Sequence, residues 1–60
     1  MKDLLDRTVK CHEELGISYV KMSKITEIHL STFYNFTSGL RTLNSDQEEK
    51  LDNYLKNLGY

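Results

Sequence analysis

Apolar side chains recur at helical spacing near the start of the chain, within residues 3–15. Their i, i+1, i+4, i+5 pattern is one face of an amphipathic helix. The members of this face are Leu4, Leu5, Thr8, Val9, His12 and Leu15. Acidic side chains in the first turn complement the helix dipole, and Gly16 follows as a left-handed C-cap. The pattern predicts a first helix over residues 3–15.

The last part of the chain shows a second amphipathic pattern. Leu51, Tyr54, Leu55 and Leu58 recur at i, i+3, i+4 and i+7. The preceding run Ser45-Asp46-Gln47-Glu48 predicts a capping box, with Ser45 and Glu48 bonding each other's backbone N–H. We therefore expect a helix over 46–58 that Gly59 ends. We expect it to pack against the first and third helices.

Two short helices joined by a tight turn are predicted in the middle. Ser18 is a good N-cap for a helix over 19–26, and a further helix is expected over 30–37. This third helix is rich in polar, β-branched and aromatic residues, which are poor helix formers, so tertiary contacts must hold it. The apolar or small positions that would let the two helices cross closely are Val20, Ser23, Ile28, Phe33 and Phe36.

These elements predict an all-α fold, a compact four-helix domain that takes up residues 1–60. A short helix that packs on a scaffold helix and points hydrogen-bonding groups outward indicates a helix-turn-helix. Residues 38–44 are expected to form a loop, from which either Leu40 or Leu43 folds back on the core.

Size and composition limit what else the chain can contain. A domain of 60 residues buries about 60% of its unfolded surface, so its core needs well-packed helices or a partner. Cys11 is the single cysteine and cannot close an intrachain disulfide. Together with His12 and His29 it offers too few ligands for zinc. We expect no metal or cofactor, with Cys11 a near-surface thiol and His12 a flanking ring.

The chain has no run of about 18 apolar residues and no signal-peptide core, so we expect a cytoplasmic protein without a membrane partner. The net charge of −1 does not itself favour nucleic-acid binding. The charge is unevenly distributed, however. Residues 17–44 carry a net +2, while residues 45–60 carry −2.

The run ISYVKMSKITEIHLSTFYNFTSGLRTLN, followed by EEKLDNYL, resembles the lambda-repressor/Cro-like (XRE-type) helix-turn-helix family over about residues 15–58. Ser18 opens the scaffold helix as in that family, and Met22-Ser23 stands where Leu-Ala is usual. Three inward positions around the recognition helix match, namely Ile28, Phe33 and Phe36. The loop Ser38-Gly39-Leu40-Arg41 matches as well.

The chain departs from the family pattern at two points. Glu27 occupies the turn position where the family prefers glycine, a position that often needs a positive φ. The family also commonly adds a fifth helix that helps form a dimer, and this sequence stops at Tyr60. Dimer contacts elsewhere, a longer regulator and a monomer all remain open.

The resemblance implies that the third helix enters the major groove of double-stranded DNA, in a pseudo-palindromic operator that two copies would share. Base-reading positions would be His29, Leu30, Ser31, Tyr34 and Asn35. Phosphate contacts would come from Ser18, Tyr19, Lys21, Thr37, Ser38, Arg41, Thr42 and Asn44. The same residues are alternatively solvated positions of a short helix, and His29 is alternatively a cap of that helix.

Two functions follow from this sequence. The first is a small transcriptional regulator of Cro or repressor type, of phage or mobile-element origin. The second is a protein-interaction module, such as an anti-repressor, antitoxin or inhibitor, which uses the fold without binding DNA; the acidic last helix favours it. An enzyme is not expected, because the sequence offers no nucleophile–base pair or phosphate-binding glycine loop, and four short helices leave little room for a small-molecule substrate.

Overall fold

The structure is a computed structural model that describes residues 2–60. Within that range it forms four α-helices and no strand: α1 (Lys2–Leu15), α2 (Tyr19–Thr26), α3 (Leu30–Thr37) and α4 (Ser45–Asn57). The all-α, four-helix prediction is confirmed. The predicted bounds of α2 and α3 agree with the structure, whereas α1 begins one residue before the predicted 3–15 and α4 lies one residue before the predicted 46–58.

One hydrophobic cluster forms the core, and every helix contributes to it. Its buried members are Leu4, Cys11, Met22, Ile28, Phe33, Phe36, Leu43, Leu51 and Leu55. Phe33 is completely buried, and removing a side chain of this size from water stabilises a fold by about 1.5–3 kcal/mol. The short third helix is therefore fixed to the rest of the protein by its aromatic side.

Three hydroxyl side chains, Thr8, Ser23 and Thr26, are buried beside this cluster. Each donates to a backbone carbonyl three or four residues earlier in its own helix, over 2.7–2.8 Å. A buried hydroxyl without a partner would cost free energy, but these are all satisfied. Small residues at helix crossings thus bring the helices together without leaving unpaired polar atoms.

The helices pack in an order that differs in one respect from the prediction. α2 packs on α3, and α1 packs on both α3 and α4. The main partners of α4 are α1 and α2, so the expectation that it closes against α1 and α3 is wrong for α3.

The loop contains the two leucines between which the sequence could not choose. Leu43 is buried, with 6% of its surface exposed, whereas Leu40 is 80% exposed. Leu43 immediately precedes the cap of α4 and belongs to the same core cluster as Leu51 and Leu55 of that helix. Leu40 follows Gly39 at the tip of the turn and has no core to contact.

Several apolar predictions are corrected by burial. Val20 was expected at the helix crossing but is 38% exposed, because it lies about 200° around α2 from the buried Met22. Leu15 and Leu58, at the ends of the two amphipathic faces, are exposed as well. Cys11 is fully buried rather than near the surface. Burial, and to a lesser extent the charge of Glu14, raise the pKa of its thiol.

A polar network joins α1 to the end of α4. Arg7 donates through Nε to the carbonyl oxygen of Tyr60 (2.7 Å) and through Nη1 to Oδ1 of Asp52 (2.6 Å). The Tyr60 hydroxyl donates to Oε1 of Glu14 (2.6 Å). The hydrogen bond from Arg7 lowers the pKa of Asp52. The hydrogen bond to Glu14 raises the pKa of Tyr60 to about 12. These contacts hold the last residues against α1.

The capping box of α4 is real but lies one residue earlier than predicted. Asn44, not Ser45, is the N-cap: its Oδ1 accepts from the N–H of Gln47 (2.8 Å), while Oε1 of Gln47 accepts from the N–H of Asn44 (3.1 Å). Both registers fit the motif by sequence. The structural register places Leu43 directly before the cap, where it is buried.

We expect Asn44→Ala to destabilise the fold by about 1 kcal/mol, because it removes the acceptor that caps α4. Ser45→Ala is the matched control and should change stability by less than about 0.5 kcal/mol, as expected for an exposed helical position. Chemical denaturation followed by circular dichroism measures both. A larger loss of stability for Ser45→Ala than for Asn44→Ala would mean that Ser45 is the N-cap, as first predicted from the sequence.

Candidate nucleic-acid interface

The turn between α2 and α3 sets the direction of the third helix. Glu27 ends α2 with φ 59°, in the left-handed region that glycine adopts most readily. The next N–H, that of Ile28, donates to the carbonyl of Ser23 over 3.0 Å. Ile28 then turns inward and is buried. Only residues 27–29 separate α2 from α3, so this turn limits the direction that α3 can take.

An ion pair from α4 holds the carboxylate of Glu27. Lys50 Nζ lies 3.0 Å from Oε1 of Glu27 and 3.5 Å from Oδ2 of Asp46. The hydrogen bond to Glu27, followed by the charge of Asp46, raises the pKa of Lys50. A side chain that is unfavourable for the turn backbone therefore has a partner that fixes the turn to α4.

The N-terminus of α3 is capped by a histidine. His29 accepts through Nδ1 from the backbone N–H of Ser31 (3.3 Å), and the same ring nitrogen lies 2.9 Å from Oγ of Ser31. The alternative interpretation of His29 as a helix cap is thus correct in the free protein. Both side chains remain exposed, so the cap does not remove them from contact with a ligand.

The outward side of α3 brings together four of the five predicted base-reading residues. His29, Ser31, Tyr34 and Asn35 are exposed, while Leu30 is half-buried. Phe33 and Phe36 occupy the opposite, inward side. The exposed face offers hydroxyl, amide and imidazole groups but carries no formal charge in α3. Such a face can form hydrogen bonds to base edges and gains little from phosphate attraction.

Aromatic rings connect this face to α1 and α2. Tyr19 stacks on His12 with ring centroids 4.0 Å apart and meets Tyr34 edge-on at 6.0 Å. It also contacts Phe33 at 5.6 Å. Burial first, and then the charge of Glu13, raise the pKa of Tyr19. Tyr19 was predicted to contact phosphate, and the structure places its ring half-buried behind Tyr34.

The other predicted phosphate contacts fall on two sides of α3. Before α2, exposed Ser18 caps the helix by accepting from the N–H of Lys21 (3.1 Å). On the far side Thr37 is half-buried and donates to the carbonyl of Tyr34 (3.1 Å), and Ser38 is the C-cap of α3. The remaining exposed members of this group are Lys21, Arg41, Thr42 and Asn44.

A groove lies beside His29, the N-cap of α3, and two of its residues were predicted from the sequence to lie elsewhere. It is lined by Val20, Ser23, Lys24, Glu27, Ile28, His29 and Leu30. Val20 was expected to be inside, and Lys24 was interpreted as an ordinary solvated lysine. They are four residues apart on α2, and this i, i+4 spacing already indicated in the sequence that they share one side of the helix. Lys24 therefore adds a positive charge next to the N-terminus of α3.

Acidic side chains line a different groove, between α1 and α4. Its lining includes Asp3, Glu48, Glu49 and Asp52 together with Arg7. Arg7 and Lys56 both pair with Asp52. Four of the nine acidic side chains thus lie at this groove, whereas Glu27 is the one acidic residue that lines the groove at α3.

Among the residues that the structure describes, no group of three or more His, Cys, Asp or Glu side chains is placed to hold a metal ion. No helix in residues 2–60 combines the length and apolar character that crossing a membrane requires.

No protein-family model matches this chain, and no curated protein or solved structure matches it either. The family resemblance and the site residues therefore stay predictions from the sequence.

Glu27→Gly should give a more stable protein than Glu27→Ala, by about 1 kcal/mol, because a left-handed backbone disfavours any residue with a Cβ. Both variants lose the contact with Lys50, so their difference isolates the backbone conformation. Thermal unfolding of the two variants measures it. Equal stability would mean that position 27 does not adopt the left-handed conformation in solution.

Proposed function

We propose that the chain is a sequence-specific reader of double-stranded DNA that works as a small transcriptional regulator. The observation that carries this proposal is the geometry of α3. The helix is held by buried Phe33 and Phe36 and exposes His29, Ser31, Tyr34 and Asn35. A short capped helix with a polar outward face, set on a second helix by a tight turn, has the form that fits the major groove.

Three side chains at α3 contact bases in this proposal. Asn35 pairs bidentately with adenine, Ser31 forms one hydrogen bond to a base edge, and Leu30 contacts a thymine methyl group. Ser18 and the first N–H groups of α2 bind a phosphate at the positive end of the helix dipole. Arg41 and Lys21 contact phosphates on the two flanks.

The modest charge of the interface determines how tightly one copy binds. Lys21, Lys24 and Arg41 are the cations of residues 17–44, and Glu27 is the anion, which Lys50 partners. One copy therefore binds a half-site weakly, and useful affinity requires two copies on a pseudo-palindrome with half-site centres about 34–36 Å apart.

A second function is favoured by a separate observation. The overall charge of −1, the acidic groove between α1 and α4 and the exposed Leu40 suit a protein partner better than a polyanion. In that case the chain is an interaction module of the anti-repressor, antitoxin or inhibitor type. The exposed residues of 29–35 are then the first candidates for its contact surface.

Selection from a randomised duplex library, followed by a salt titration on the enriched sequence, distinguishes the two functions. A DNA reader enriches a motif, and its log affinity falls steeply with log salt, because neutralised phosphates release counterions. With Lys21 and Arg41 as the cationic phosphate contacts of each copy, the slope is about −2 for one copy and doubles for two. No enrichment, with weak binding that salt leaves unchanged, would shift the function to a protein partner.

Two single substitutions separate base reading from phosphate binding. Asn35→Ala should weaken binding to the selected sequence by about 1–3 kcal/mol and leave binding to random DNA nearly unchanged. Arg41→Ala should weaken both by similar factors and make the salt slope shallower by about 1. Fluorescence anisotropy on the selected duplex and on a scrambled one measures all four affinities. Equal losses on both duplexes for Asn35→Ala would remove it from the base-reading residues.

A further inference from the structure

His29 and Ser31 share one hydrogen-bonding atom at the start of α3. Nδ1 of His29 accepts from the backbone N–H of Ser31 at 3.3 Å and lies 2.9 Å from the Ser31 hydroxyl oxygen. A backbone N–H can only donate, so Nδ1 must present a lone pair. The neutral ring therefore carries its proton on Nε2.

This tautomer fixes the direction of the side-chain hydrogen bond. Since Nδ1 has no proton to give, the Ser31 hydroxyl donates to it. The hydroxyl proton then points at the ring, and only acceptor lone pairs of Ser31 point away from it. With the ring neutral, Ser31 is an acceptor toward anything that docks on α3.

Protonation of the ring reverses this arrangement. Histidine is the side chain whose charge ordinarily changes between about pH 5 and 8. Both nitrogens of the imidazolium are donors, so Nδ1 donates to Oγ of Ser31, and the hydroxyl proton is free to turn outward. The backbone N–H of Ser31 loses its acceptor in the same step.

We propose that His29 sets the hydrogen-bonding polarity of Ser31 and thereby makes base choice at one position depend on pH. The inference rests on the proposed function, in which Ser31 faces the major groove. With His29 neutral, Ser31 prefers a base donor, the amino group of adenine or cytosine. With His29 protonated, it prefers a base acceptor, guanine O6 or thymine O4.

The charged side chains near the ring lie outside α3. Lys24 of α2 and Glu27 of the turn line the same groove as His29, and Glu27 is paired with Lys50 of α4. α3 itself has no charged side chain.

The second histidine of the chain provides an internal reference. Nδ1 of His12 bonds to the carbonyl oxygen of Ile17, which can only accept. Nδ1 of His12 therefore carries a proton whether the ring is neutral or charged. Its hydrogen-bond direction does not reverse with pH, in contrast to His29.

Nitrogen-15 NMR of the free 60-residue chain tests the hydrogen bond without DNA. At pH 8 we expect the His29 ring protonated on Nε2 only and the His12 ring protonated on Nδ1. Protonation of the ring at lower pH should shift the Ser31 amide signal. A proton on Nδ1 of His29 at pH 8, or a Ser31 amide that does not follow the ring, would overturn the inference.

Selection from the randomised library at pH 8 and at pH 5.5 tests base choice. The intact protein should switch one position from adenine or cytosine to guanine or thymine, with a preference of about fivefold at each pH, the size of one hydrogen bond. His29→Asn, which keeps a side-chain oxygen as the cap but does not titrate, should select the same base at both values. Ser31→Ala should lose the preference at that position altogether.

The outcomes separate the inference from the proposed function. The same base selected by the intact protein at both pH values would overturn the inference and leave DNA binding in place. No enrichment at either pH would overturn the proposed function and the base choice with it. The NMR measurement on the free protein then still decides whether His29 controls the Ser31 hydroxyl.

Discussion

Burial of the aromatic side of α3 is the interaction on which the rest of the structure depends. The helix has eight residues, fewer than an isolated helix needs to persist in water, and its composition disfavours a helix. It forms because Phe33 and Phe36 enter the core and because Ile28 fills the space next to the turn. Fixing those three side chains also fixes which residues face outward. The candidate interface consists of the side chains at α3 that do not enter the core.

The scaffold compensates for its small size with satisfied polar contacts. Caps at Ser18, His29 and Asn44 supply acceptors to the first turns of three helices. The buried hydroxyl groups bond to their own helices, and among the side chains of residues 3–60 no buried nitrogen or oxygen lacks a partner. The Arg7 network attaches the last residues to α1. Each contribution is small, but a domain of this size has only a few kcal/mol of net stability.

Charged side chains are distributed unevenly over the surface, which the small net charge does not reveal. α3 is uncharged, Lys24 stands next to its N-terminus, and acidic side chains gather between α1 and α4. A DNA reader with so few cations would depend on hydrogen bonds to bases for much of its selectivity. The direction of a single hydrogen bond, such as the one between His29 and Ser31, would then affect which base is selected. The acidic groove remains available to a protein partner.

The sequence by itself determined the helices, since hydrophobic spacing, Ser18 and the glycines after helix ends are local signals. It also indicated the inward role of Ile28, Phe33 and Phe36, while the geometry of the turn at Glu27 was left undecided. Only the tertiary structure decided the matters that depend on distant partners. It buried Leu43 instead of Leu40, moved the cap of α4 to Asn44, and turned Val20 outward. These choices depend on which side of each segment meets another helix, and helical periodicity alone cannot specify that neighbour.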